Sequence, residues 1–125
     1  MYRKFTAGNI FSGTTMAPAG TVLITEADGR IVDMVDSAEA GDDVEFFEGM
    51  LSPGFINCHC HLELSHMRGH IPMHTGLPDF VLKVINERHF EEIEILKSIV
   101  EAEDEMLNNG IVAVGDICNN ALTLS

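Results

Sequence analysis

Positive charge is scarce in this sequence: 7 Lys and Arg stand against 20 Asp and Glu in 125 residues, a formal net charge of −13. Such a chain repels phosphate backbones and anionic lipid, which excludes nucleic acid and membrane surfaces as partners. Long apolar runs are missing too, and none approaches the roughly 20 residues needed to cross a bilayer. The opening Met1-Tyr2-Arg3-Lys4-Phe5-Thr6 leads into Ala7-Gly8-Asn9 rather than an unbroken apolar stretch, so no secretory signal is read there. A cytoplasmic location is the expectation. Cysteine is sparse and odd in number, and Cys58 and Cys60 lie too close in sequence for an easy disulfide with each other. That pattern, with Cys118 left over, fits a reducing compartment.

What is present is ordinary globular material. A hydrophobic share of 46% with 22% charged residues excludes disorder, collagen and repetitive fibres. A compact chain of this size buries about two-thirds of its unfolded surface. The first fifty residues read as short strands, Lys4 to Ile10, Thr21 to Thr25 and Arg30 to Val35, with Ala27-Asp28-Gly29 as a hairpin turn. They predict a small antiparallel sheet. Ser37 to Asp43 reads as an acidic surface loop, and Val44 to Met50 as one more strand before the punctuation at Ser52-Pro53-Gly54.

Beyond that turn the texture changes. Phe55 to His61 is a short apolar run dense in Cys and His, which suits a strand buried on both faces. From Leu62 to Leu77 the chain holds Gly69, Pro72 and Gly76, so a continuous helix is not expected and the spacing of His66, His70 and His74 by four is accidental. Pro78 suits the first turn of a helix carrying Phe80, Val81, Val84 and Ile85 on one stripe. A second stripe runs from Ile93 to Leu107, out of phase across Arg88 and His89, which predicts two helices or one kinked helix. Asn109-Gly110 stops it, and Ile111 to Ile117 reads as a second buried strand. The result is strand, loop, helix, strand: one parallel crossover unit.

The chemistry concentrates in Pro53-Gly54-Phe55-Ile56-Asn57-Cys58-His59-Cys60-His61. Residues two apart on a strand face the same way, about 6.6 Å apart. His59 and His61 can therefore reach one ion, while Cys58 and Cys60 project to the opposite face. The plain alternative is two polar residues at a strand end, satisfied by backbone groups.

This stretch closely resembles the signature of the amidohydrolase superfamily, metal-dependent hydrolases built on a (β/α)8 barrel. The continuation His61-Leu62-Glu63-Leu64-Ser65, then Arg68-Gly69, resembles the chlorohydrolase and deaminase branch, and Gly110 to Asp116 is similar to that family's second barrel strand. The resemblance implies an α/β fold: an incomplete (β/α)8 barrel, with its first strand-helix-strand unit in residues 53–125, preceded in residues 1–52 by part of a small β-sandwich. It implies that His59 and His61 are first-strand ligands of one divalent metal ion, zinc foremost, with iron or manganese as alternatives. The remaining ligands and proton-transfer groups would come from later strands, since a full barrel takes ~200 or more residues. The expected activity is hydrolysis of C–N bonds in a small cyclic or nucleoside-like substrate, and the isolated chain is expected to be inert.

Other residues carry paired readings. Glu63 either continues the ligand face to contact substrate or is a solvated loop carboxylate. Arg68 either holds a substrate carboxylate or pairs with a nearby acid, the second being the plainer reading. His66, His70 and His74 either substitute for absent ligands or, the plainer reading, are surface histidines; Asp116 is either catalytic at the barrel mouth or, again more plainly, a cap or turn residue; Asn57 reads as a group that orients the histidines by hydrogen bonding. A different functional class stands beside the enzyme: a non-catalytic module whose open strand edges drive homo-oligomerisation or association with the missing barrel elements.

Overall fold

A computed structural model describes residues 1–124. The chain is α/β, with mixed sheets and several helices, and divides into two compact units, Met1–Pro53 and Gly54–Ser125.

The first unit is a four-stranded sheet of β1 (Arg3–Ile10), β2 (Thr21–Thr25), β3 (Ile31–Asp36) and β4 (Val44–Leu51), in the order β3-β2-β1-β4. β2, the sequence Thr-Val-Leu-Ile-Thr, is β-branched at four of its five positions and lies inside the sheet, with Thr21, Val22 and Thr25 buried. It pairs antiparallel with β1, setting Phe5 opposite Leu23, and with β3, setting Val22 opposite Val35. The β2–β3 turn closes as the Asp-Gly pair predicts. Glu26 and Arg30 are joined by a backbone bond of 2.8 Å, Asp28 Oδ1 accepts from the Arg30 N–H at 3.0 Å, and Gly29 takes the positive φ of 90° that the turn demands.

β4 departs from the antiparallel expectation. It runs parallel to β1, with Phe5 opposite Glu45 and Thr6 opposite Phe46. The cause is connectivity: β3 and β4 occupy opposite edges, so the chain must cross over between them, and a crossover delivers the strand in parallel. Part of that crossover is the single-turn helix α1 (Ser37–Ala40), where a plain loop was expected. Asp36 caps it by accepting the Ala38 N–H at 2.9 Å, and its last residue, Ala40, is buried.

The second unit contains β5 (Phe55–Cys60), a 3₁₀ helix over Leu62–Met67, α2 (Leu77–Glu87), α3 (Glu92–Asn108), β6 (Ile111–Asp116) and a short 3₁₀ turn at Leu122–Leu124. β5 and β6 pair in parallel, with Asn57 opposite Val114 and Cys60 opposite Asp116. Pro78 sits in the first turn of α2, and the phase break after Glu87 separates two helices. α3 ends where Asn109 Nδ2 donates to the Glu105 carbonyl at 2.7 Å and Gly110 takes a φ of 77°. Leu62, Met67 and Ile99 are the buried apolar side chains of this unit.

The expectation that β5 is covered on both faces fails here. Phe55 and Ile56 are 63% and 64% exposed, and Val112 on β6 is 62% exposed. A two-stranded parallel pair with helices joined only through its connection cannot cover two faces. Among the described residues, no helix is long and apolar enough to cross a membrane.

Candidate metal centre

Alternation along β5 brings the two histidines together. The His59 and His61 rings stand with centres 5.1 Å apart at an interplanar angle of 80°, and both are exposed to solvent. Two imidazoles on one tetrahedral ion, at ~2.0–2.1 Å from metal to nitrogen, have ring centres roughly 5 Å apart. The spacing therefore fits shared coordination.

His61 is oriented further by the end of β6. Its Nδ1 lies 2.7 Å from the Ile117 carbonyl oxygen. A carbonyl only accepts, so Nδ1 carries the proton, and in the neutral ring Nε2 keeps its lone pair for a ligand. Asn57 acts one step away from the rings: its Oδ1 accepts the His59 backbone N–H at 3.2 Å. On the other face, burial and then the Asp116 charge push the Cys60 thiol pKa up.

Two imidazoles would make up half of a tetrahedral coordination shell. Among the described residues, no three His, Cys, Asp or Glu side chains gather as a metal-holding group. Two imidazoles with one tautomer fixed fit a divalent ion that draws further ligands from elsewhere.

Glu63 follows His61 by two residues, yet it is not a solvated carboxylate. It is 1% exposed. Its carboxylate accepts from Arg88 Nη2 at 2.9 Å, from the Asn119 backbone N–H at 3.0 Å, and from Asn119 Nδ2. Burial alone pushes its pKa up, but the Asn119 and Arg88 hydrogen bonds and the Arg88 charge outweigh this and hold it below the ordinary carboxylate value. Arg88 and Asn119 carry no local sequence signal for this role, since they lie 25 and 56 residues downstream. The one local hint in the sequence is an acid set between two leucines, Leu62 and Leu64.

Arg68 is exposed and forms a two-pronged ion pair with Glu105 on α3, the pairing with a nearby acid anticipated above. That hydrogen bond and the Arg68 charge lower the Glu105 pKa. Arg68 also borders an open cavity of about 580 Å³, together with His61, Ser65, His66, Phe80 and Val84. His66 departs from the surface-histidine expectation. Its Nε2–H donates to the Arg88 carbonyl at 3.1 Å, its ring centre lies 4.7 Å from that of Phe90 at a tilt of 58°, and its Nδ1 is buried. His70 and His74 are exposed, as expected. Asp116 acts as a cap: Oδ1 accepts the Leu62 N–H at 2.8 Å, just past the end of β5, while Oδ2 is buried with no hydrogen-bond partner among the described residues.

No protein-family model matches the chain. It is similar to a 5-methylthioadenosine/S-adenosylhomocysteine deaminase of Natronomonas pharaonis, with 30% identity over 118 residues. That alignment covers 91% of this chain and 27% of the relative, so the chain spans about a quarter of the length of the curated protein it matches.

Proposed function

We propose that this chain is the opening portion of a metal-dependent amidohydrolase of the deaminase type, and that His59 and His61 are the first two ligands of its divalent ion. The observation that carries the reading is the pair of adjacent imidazoles at 5.1 Å, one with its proton held on Nδ1 by a backbone carbonyl. Similarity to a relative named as a deaminase supports the reaction class. A bound divalent ion, zinc foremost, would lower the pKa of its water towards ~7 and supply a hydroxide nucleophile.

The chain's own residues serve that chemistry in three ways. His59 and His61 hold the ion from one strand end. The cavity beside His61 borders the substrate, a small cyclic or nucleoside-like molecule, with Phe80 and Val84 offering apolar surface and Arg68 a positive edge. Arg68 reaches a substrate anion only by exchanging it for Glu105. Glu63, with both oxygens already engaged inside the chain, serves the site through support. The cytoplasm is the proposed location.

On this reading the chain alone is inert, because among its described residues no three His, Cys, Asp or Glu side chains gather to complete the coordination shell. Ammonia release from 5-methylthioadenosine and S-adenosylhomocysteine, compared between this chain and a version extended by later strands, tests the reading. Turnover only in the extended protein is expected; equal turnover by the short chain overturns it.

A second reading is favoured by the exposed Phe55, Ile56, Val112 and Ile117 on and beside a two-stranded sheet whose outer edges are unpaired. Such edges recruit further strands, from a second copy or from complementary barrel elements. Light scattering that reports only monomer at high concentration would count against self-association.

A further inference from the structure

Residues 60 to 63 are bonded in succession to the last residue of β6 and the segment that follows it. The Cys60 carbonyl accepts the Ile117 N–H at 2.8 Å, His61 Nδ1–H donates to the Ile117 carbonyl at 2.7 Å, and the Leu62 N–H donates to Asp116 Oδ1 at 2.8 Å. Glu63 closes the series by accepting both the backbone N–H and the side-chain amide of Asn119. Of these four residues, Glu63 alone is also tied to α2, through Arg88 at its C-terminal end.

Building on the metal reading above, we propose that Glu63 is a positioning residue for His61. By gripping Asn119 it fixes the Asp116 to Asn119 segment, and the Ile117 carbonyl on that segment holds the His61 ring in its Nδ1–H form with Nε2 open to a ligand. An acceptor selects a tautomer only if it stays in place. Ile117 to Asn119 lies outside regular structure; one backbone bond to the Cys60 carbonyl holds the Ile117 N–H, and the anchor at the far end of the segment is a buried carboxylate gripping Asn119. Partners that orient a ligating histidine typically contribute 10- to 100-fold, as an order of magnitude about tenfold or more, to metal affinity.

The test uses the full chain, ¹⁵N-labelled and metal-free, with long-range ¹H–¹⁵N spectra of the imidazoles, followed by zinc titration against a chromophoric chelator. The wild-type chain is expected to show His61 as a single Nδ1–H tautomer. Glu63→Gln and Asn119→Ala are expected to give mixed His61 tautomers, leave His59 as it was, and weaken zinc binding by roughly 10- to 100-fold. Asn119→Ala keeps the Glu63–Arg88 pair, so it decides the matter should Glu63→Gln fail to fold. A His61 that stays Nδ1–H with unchanged zinc affinity in a folded Asn119→Ala variant overturns the proposal, and so does a wild-type His61 protonated on Nε2. Tautomers that respond as expected in a chain that takes up no zinc would sink the metal reading and leave the positioning of His61 standing.

Discussion

Removing the buried Glu63 carboxylate should cost more stability than any single change at the surface of the second unit. Its side chain is 0% exposed and that of Arg88 is 25% exposed. Glu63→Ala strands a largely buried guanidinium and the two Asn119 donors together. Breaking one side of a buried ion pair typically costs about 3–5 kcal/mol. Arg88 retains some contact with water, so the lower end, about 3 kcal/mol, is the expected loss. Urea denaturation followed by circular dichroism reads this directly: with a slope of about 1–3 kcal/mol per molar, the midpoint falls by roughly 1 M or more. Replacing both partners by methionine should recover much of the loss, because the desolvation of two charges disappears along with their attraction. The pH dependence has a definite sign. The folded-state pKa of Glu63 lies below its ordinary value, so its contribution is complete above the unfolded-state pKa and is lost as pH falls through the folded-state pKa. The gap between wild type and Glu63→Gln should therefore narrow on acidification. A Glu63→Ala midpoint equal to that of wild type at neutral pH would refute the reasoning.

Two further outcomes follow from the same structure. A Cβ on Gly115 would sit 2.9 Å from the Cys58 carbonyl oxygen and 3.2 Å from its carbon, both backbone atoms, so Gly115→Ala must push β6 off β5 at a cost of about 1–3 kcal/mol, read in the same urea titration. Arg68→Ala removes only a solvent-exposed ion pair and should leave the urea midpoint in place; a large drop would mean that Arg68 packs more than it pairs.

Local signals in the sequence located most elements. Asp28-Gly29 marked the hairpin, Pro78 the start of α2, and Asn109-Gly110 the end of α3, because each acts through its own backbone. Alternation also set the two imidazoles side by side, since the period of a strand is independent of what surrounds it. Pairing was less legible. β4 joins β1 in parallel because of which edge it reaches, a property of the whole connection rather than of Val44 to Leu51. The burial of Glu63 was hidden for a related reason: its partners come from the end of α2 and from beyond β6, and no spacing rule links them to a Leu-Glu-Leu triplet. The single turn of α1 went unread because its signal is one aspartate cap within an acidic stretch.

Calorimetric titration of the chain with zinc, repeated on His59→Ala and His61→Ala, probes the metal centre most directly. One ion per chain for the wild type, with binding abolished or severely weakened in either variant, is the predicted result. Zinc uptake that both variants retain in full would assign the metal to other side chains and contradict the account.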